Sequence, residues 1–332
     1  MKRKKITGLL SVMAFIMTLL FTPVETKAQA DPLFTQYWAL PTLLNPAATG
    51  NTDFLRIRGG ARLQWIGIEN APKSFLATAD MPFKLMNKRI GAGVIMWQES
   101  LGLFSNLLLS AQGSYKLKAF KGTLGIGVQL GYYNTRFRGS DVFIPDNDDY
   151  HQGNDPGIPT QDLSGNAFDI SLGLNYTHKY FNVGISGLHL TNPKINMNIE
   201  GSESNEMQQY ETELPRAIYF DANSNIELTN TLFTLQPSLL IGTDLSDFSA
   251  DITMRATYNK FITFGLGYRW NEAICVMIGA EFKNFFLGYA FDYPTSSIAK
   301  ASAGSHELVA GYQLKIDMSG KNKNKHRSIR IM

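Results

Sequence analysis

From residue 54 almost to its end, the chain is built of short runs in which apolar and polar residues alternate. Between Asp247 and Tyr258, Phe248, Ala250, Ile252, Met254 and Ala256 fall on one side, and Ser249, Asp251, Thr253, Arg255 and Thr257 on the other. Successive side chains of a strand point to opposite faces, so the stretch predicts a strand with one face for hydrocarbon and one for water. Asn166 to His178 repeats the pattern, with Phe168, Ile170, Leu172, Leu174 and Tyr176 opposed to Asp169, Ser171, Gly173, Asn175 and Thr177.

The same reading predicts strands over 54–66, 74–82, 90–99, 105–118, 122–134, 166–178, 181–190, 216–226, 231–242, 247–258, 261–270, 273–283, 285–293 and 305–317. In segment 90–99, with Gly91 and Gly93, the inward face is ambiguous. The expected fold class is all-β, a transmembrane antiparallel β-barrel of about 14 strands, the even number usual in bacterial single-chain barrels. If the first strand runs outward from the periplasm, the connections sort by length. Tight turns at Asn87-Lys88, Phe120-Lys121, Lys179-Tyr180, Asn259-Lys260 and Lys283-Asn284 share one side, and the long segments 135–165, 191–215 and 294–304 share the other. Short periplasmic turns and long external loops are how such barrels are built. Trp65, Trp97 and Trp270 each end an outward-running strand, which predicts an aromatic girdle at the outer interface.

Alternatives are weaker. A propeller would show a repeat of roughly 40–50 residues, and none is seen. Sandwich strands are usually shorter and need no division of connections into two classes. Hydrophobic content of 44% resembles a soluble protein, but barrels hide their membrane character in alternation.

The amino terminus carries Lys2, Arg3, Lys4 and Lys5, an apolar run from Ile6 to Phe21, and the small-residue pattern Ala28, Gln29, Ala30. This is the form of a secretory signal peptide over 1–30, cleaved before Asp31. The apolar run is short for a single membrane helix of roughly 20 residues. Residues 31–53, with Pro32, Pro41 and Pro46 among Phe34, Tyr37, Trp38 and Asn45, are too apolar to dangle in water and too rich in proline to form a strand. They are expected to pack inside the barrel mouth or at its rim. The barrel is expected over 54–318, and residues 319–332 form a basic periplasmic tail, solvated or holding an acidic partner.

A net charge of +3, with basic residues spread between strands and tails, argues against nucleic acid. The single cysteine, Cys275, excludes an internal disulfide. None of His151, His178, His189, His306 and His326 has metal-ligand spacing, and no nucleophile elbow, phosphate loop or dinucleotide fingerprint is present. No cofactor or catalytic residue is expected. The glycines at 125, 127 and 131 have strand spacing and are read as easing close packing. Segment 146–155 is rich in carboxylates and amides but lacks the glycine of a calcium loop, so a solvated external loop is the preferred reading.

The alternation places Arg56, Arg58, Arg62 and Gln64 of the first strand inside, with Asp169, Asp251, Arg255, Arg269, Glu281, Lys283, Glu307, Gln313 and Lys315. Among these, Arg56, Arg58, Arg62, Asp251, Arg255, Arg269, Glu281 and Glu307 are the candidate lumen or client contacts. Closure brings the first strand beside the last, so Glu307 is expected to meet one of the three arginines across the seam. The competing reading is a set of charges that only keeps the lumen polar.

Two terminal motifs carry a resemblance. Asp31-Pro-Leu-Phe-Thr-Gln-Tyr with Asn45-Pro-Ala-Ala-Thr-Gly, and Gly304-Ser-His-Glu-Leu-Val-Ala-Gly-Tyr, resemble the PorP/SprF family of Bacteroidetes outer-membrane proteins over essentially the whole mature chain. The basic extension after Asp317 is longer than that family pattern. The resemblance implies a non-enzymatic outer-membrane component of the type IX secretion system that supports export or surface anchoring of large adhesins, including gliding adhesins, with a C-terminal sorting domain. It implies as partners that client domain, other secretion components, some periplasmic, and outer-membrane lipid. The competing function is a passive porin or hydrophobic-solute barrel in which residues 31–51 act as a hatch. A barrel phospholipase is a more distant third.

Overall fold

A computed structural model describes residues 31–86, 88–142, 159–199 and 210–318. The strands are β1 (Phe54–Leu63), β2 (Lys73–Leu85), β3 (Lys88–Leu101), β4 (Phe104–Ala119), β5 (Gly122–Phe137), β6 (Leu163–Thr177), β7 (Phe181–Leu188), β8 (Lys194–Ile199), β9 (Tyr210–Glu213), β10 (Ala217–Ser224), β11 (Ile226–Glu227), β12 (Phe233–Thr243), β13 (Phe248–Tyr258), β14 (Ile262–Arg269), β15 (Ala273–Phe282), β16 (Phe285–Pro294) and β17 (Ser305–Lys315). Fourteen of them form a closed antiparallel barrel, as the alternation predicts. Each barrel strand pairs with its barrel neighbours in sequence, and β1 closes on β17 through the register Phe54↔Lys315 to Leu63↔His306. Closure removes the free strand edges that hydrocarbon cannot satisfy. No helix among the described residues is long and apolar enough to cross a membrane.

The three remaining strands sit outside this ring. Residues of β8 and β9 form a hairpin in what the sequence presents as a long connection, 191–215, and β8 also pairs with the start of β6. Ile195, Met197 and Leu214 from this region are buried, so the hairpin folds inward over the barrel mouth. β11 is a two-residue pairing with β12 between β10 and β12. The calcium-loop reading at 146–155, the signal peptide at 1–30 and the tail at 319–332 fall outside the described residues.

Alternation separates the two faces of the wall. On β13, Ile252 and Met254 are exposed whereas Asp251, Thr253 and Arg255 are buried; on β15, Ile274, Val276 and Ile278 are exposed whereas Cys275 and Met277 are buried. The outward set is what lipid tails solvate, and the inward set needs polar or protein contacts. Two-residue turns such as Phe120-Lys121 and Asn259-Lys260 take positive φ at both positions, the twist that joins antiparallel strands most tightly. These turns define one end of the barrel, and residues 138–142, 159–162, 189–199 and 210–216 define the other.

Residues 31–53 run through the barrel from the loop end to the turn end. Asp31 bonds His189, beyond the end of β7, and Gly50 lies against β2 and β3 near the tight turns. The segment makes only a turn at Tyr37–Ala39, one helical turn at Pro41–Leu44 and another turn at Pro46–Ala48. Pro41 and Pro46 sit at first helical positions, where a missing N–H costs nothing, and the Asn45 side chain caps the last turn by accepting from the Ala47 N–H at 2.9 Å. Phe34, Tyr37, Leu40, Leu43, Leu44, Ala47 and Ala48 are all buried and form the barrel's hydrophobic core together with Trp97, Tyr133 and Leu188.

Candidate functional site in the barrel lumen

A segment without regular structure leaves its own backbone groups unpaired, so the wall must satisfy them. It does so at several levels. Nearest the loop end, Asp31 and Asp169 hold the imidazole of His189 between them, each at 2.9 Å, and the Tyr219 hydroxyl donates to Asp31 at 3.2 Å. His189 lies in the connection after β7, where burial alone would lower its pKa. The flanking Asp31 and Asp169 carboxylates overcome that and hold it at about 10, so the ring is cationic at neutral pH.

Below this, the backbone N–H groups of Thr35 and Gln36 donate to the two carboxylate oxygens of Glu307 at 2.7 and 2.9 Å. The Thr35 hydroxyl donates to Asp292 and accepts from Arg62 and Arg269, at 3.0 and 3.1 Å. Arg62 pairs with Asp292 at 2.7 Å and with Glu307 at 3.3 Å, and Arg269 pairs with Asp251 at 3.0 Å. Two guanidinium groups therefore share at least three buried carboxylates, and one plug hydroxyl sits at their junction. Such a network is stable only while every member keeps its partners.

Trp38 marks the next level. The Arg255 guanidinium lies 3.9 Å from its ring centroid, and the indole meets Phe286 edge-on at 5.6 Å. Arg58 lies 4.9 Å over the other partner of that pair, Phe286. These two arginines are accommodated by aromatic faces, an interaction that grows as water is excluded.

Toward the turn end, Gln112 donates to the Thr42 carbonyl at 2.8 Å, Ser186 donates to the Leu44 carbonyl, and the Asn45 amide donates to the Leu174 carbonyl at 3.0 Å. Lys116 donates to the Ala47 carbonyl and to Asn51. Gly50 N–H donates to Asp80 at 2.8 Å, and Asp80 pairs with Arg56 at 2.9 Å. Glycines on the wall make room for this. A Cβ on Gly127 would lie 2.2 Å from the Ala47 nitrogen, and one on Gly173 would lie 2.1 Å from the Asn45 amide oxygen. The close packing read from the glycine spacing is thus contact between wall and plug backbones.

Of the residues singled out from sequence, Arg56, Arg58, Arg62, Asp251, Arg255, Arg269 and Glu307 face the lumen, and Glu307 meets Arg62 across the seam in direct register. Glu281 lies at the turn end, where it accepts from Gln313, and does not reach this network. Phe34, Tyr37, Trp38, Asn45 and Pro46 all belong to the plug rather than to an outer rim. Trp270 is exposed at the loop end and packs on Tyr268, and Trp65 is half-buried in a turn there. Trp97 corrects the expected girdle. It is 1% exposed and packs edge-on against Tyr133 inside the barrel, because both faces of β3 are apolar and the position at a strand end does not say which way a side chain points. Gln112, Lys116, His189 and Asp292 were not singled out. The signal for Gln112, Lys116 and Asp292 was a polar residue on the inward phase of its strand, whereas His189 lies past the end of β7 and carries no such signal.

Two clefts open among the described residues near the loop end. One cleft of about 270 Å³ lies at the loop end between Leu33, Arg62, Trp65, Glu99 and Glu272. Another of about 200 Å³ lies beneath the β8–β9 hairpin beside Tyr133, Ile195 and Leu214.

A family model described as type IX secretion system membrane protein PorP/SprF matches residues 26–312. The chain belongs to the PorP/SprF family. It is accordingly an outer-membrane component of the type IX secretion system, with other components of that system as its partners. This PorP/SprF protein shows no significant match to a curated protein. Among solved structures it is similar to the toluene transporter TbuX of Ralstonia pickettii, at 12% identity and a TM-score of 0.48, over 88% of this chain and 96% of that one. It is also similar to the toluene transporter TodX of P. putida, at 11% identity and a TM-score of 0.48, over 83% and 94% of the two chains. Omp33 of Acinetobacter baumannii matches at 8% identity and a TM-score of 0.45, over 79% and 97%.

Proposed function

We propose that this PorP/SprF barrel supports secretion or surface anchoring of a large adhesin of the gliding type, by receiving the adhesin's C-terminal sorting domain on a surface of the barrel rather than through its lumen. The supporting observation is the plug: residues 31–53 fill the lumen and are bonded to the wall at every level from Asp31 to Gly50. A polypeptide cannot thread this barrel unless the plug leaves, and leaving would strand the carboxylates of Asp251, Asp292 and Glu307 with their arginines in a wet cavity. The loop end then faces outward, the turn end faces the periplasmic secretion machinery, and residues 1–30 act as the export signal.

Deleting the gene should abolish surface display of one sorting-domain adhesin while others still reach the surface. Unchanged display of every such protein would remove the reading. The hatch alternative is tested on the same protein in planar bilayers. No conductance from the intact chain is expected; solute-dependent current that rises when residues 31–51 are removed would favour a pore.

A further inference from the structure

The arginines of the lumen fall into two sets. Arg56, Arg62 and Arg269 pair with wall carboxylates, whereas Arg58 and Arg255 have no carboxylate within ion-pairing distance among the described residues. The acids on the wall toward Arg58 are already engaged: Asp80 pairs with Arg56 and accepts from the Gly50 N–H, and Glu281 accepts from Gln313. Residues 319–332, which follow β17 at this end, contain no Asp or Glu.

Hydrogen-bond donors are left over at the same level. The Nε of Arg255, the Nε and Nη1 of Arg58, the indole Nε1 of Trp38 and the amide nitrogen of Gln36 are buried, and none has an acceptor among the described residues. All are donor-only atoms, so what this level lacks is lone pairs and negative charge. Arg255 is 5% exposed and Gln36 only 1%. These groups converge on one ring pair, with Arg255 over Trp38 and Arg58 over Phe286. A Cβ on Gly288 would lie 2.1 Å from the Gln36 amide oxygen and 2.9 Å from Cζ of Phe286, so Gln36 lies beside the second ring. The aromatic faces offset part of the cost of burying the cations, but they leave the N–H groups without acceptors.

The wall here is cut back. Arg255 extends across Gly265 and Arg58 across Gly311, where an added Cβ would stand 3.0 Å from Cγ of Arg255 and 2.2 Å from Nη1 of Arg58. Between them, a Cβ on Gly279 would meet nothing nearer than 3.5 Å. The inward Thr257 and Thr263, joined by a hydroxyl bond of 2.9 Å beside the Asn259-Lys260 turn, are partly exposed, so space reaches this level from the turn end.

We propose that the level between Trp38 and the glycine-lined wall of β14–β17 binds small inorganic anions, chloride or phosphate, with the guanidinium groups of Arg255 and Arg58 as counter-charges and the N–H groups of Trp38 and Gln36 as further donors. A macromolecular acid cannot reach Arg255 behind the plug. Two of the donors belong to the plug and both cations to the wall, so bound anions tie one to the other and favour the seated plug by mass action.

The test uses the full mature protein in a non-ionic detergent, with gluconate replaced stepwise by chloride or by phosphate at constant ionic strength. Unfolding midpoints, followed by heat-dependent gel mobility, and chloride NMR line broadening are the readouts. The wild-type midpoint should rise with chloride or phosphate, and phosphate should reverse the chloride broadening. Arg58→Gln/Arg255→Gln should bind the same anions about tenfold or more weakly, the order expected for losing charge-assisted bonds. In gluconate that variant should be at least as stable as the wild type, because it removes unpaired buried charge; a purely structural role for the arginines predicts the same loss in every salt. Lys121→Ser/Lys179→Ser, exposed at the tight turns, should respond to anions like the wild type. A midpoint independent of which anion is present would overturn the proposal as general screening, as would undiminished anion dependence in the Arg58/Arg255 variant. The wild-type arms decide even if that variant fails to fold. No arm depends on which end of the barrel faces outward, so failure here leaves the secretion reading intact.

Discussion

The two faces of one barrel wall obey different rules. Outward residues such as Leu172, Ile252 and Val276 each meet a fluid that accommodates any apolar shape. Inward residues meet a fixed segment, and each is tied to partners distant in sequence, as Glu307 is to Thr35 and Gln36. The difference teaches that stability in this chain is distributed on the outside and concentrated on the inside. Substitutions of similar size should therefore have unequal effects on the two faces.

The largest effect is expected from filling the seat of the plug. Gly127→Leu would drive a side chain into Ala47, whose nitrogen already lies 2.2 Å from where a Cβ would stand. Loss of the heat-resistant compact band on gels is expected, while Val128→Leu, one residue away on the lipid face, should keep it. Next comes Arg269→Met, which leaves Asp251 buried without its cation and should cost roughly 3–5 kcal/mol in urea unfolding from lipid vesicles. A loss below about 1 kcal/mol would mean that the network is wet and weak.

A smaller effect should follow pH. Folding raises the His189 pKa from 6.5 to about 10, so its contribution is complete below 6.5 and is lost as pH rises through about 10. Unfolding midpoints should fall between neutral and alkaline pH in the wild type and fall less in His189→Gln, in which Asp31, Asp169 and Tyr219 no longer face a titrating ring. The smallest effect is expected outside: Ile252→Val, on the lipid face, should cost about 1 kcal/mol, near the value of the one methylene removed. If it costs as much as Arg269→Met, the contrast between the faces fails.

The same contrast explains what was legible in the sequence. Lipid imposes a two-residue period on every strand it touches, so fourteen segments and most of their ends can be read from residues a few positions apart. The plug was legible as a kind of segment, since prolines among aromatics exclude both a strand and a solvated tail. Its partners were not, because Gln112, Lys116 and Asp292 reach it only through closure of the ring. Trp97 was misplaced where Gly91, Gly93 and Ile95 line the inward face of β3 and cancel the period. The β8–β9 hairpin was missed although Ile195, Met197 and Ile199 alternate, because so short an alternation inside a long connection carries little weight on its own.

The carboxylates that hold the plug at Thr35 and Gln36 come from β16 and β17, the last strands of the barrel, while the plug and β1 are its first described parts. Zipping the seam and latching the gatekeeper are thus one event. A cylinder missing its final staves would lack the grip on the bung at Thr35 and Gln36, so the closing hairpin is both stave and clasp.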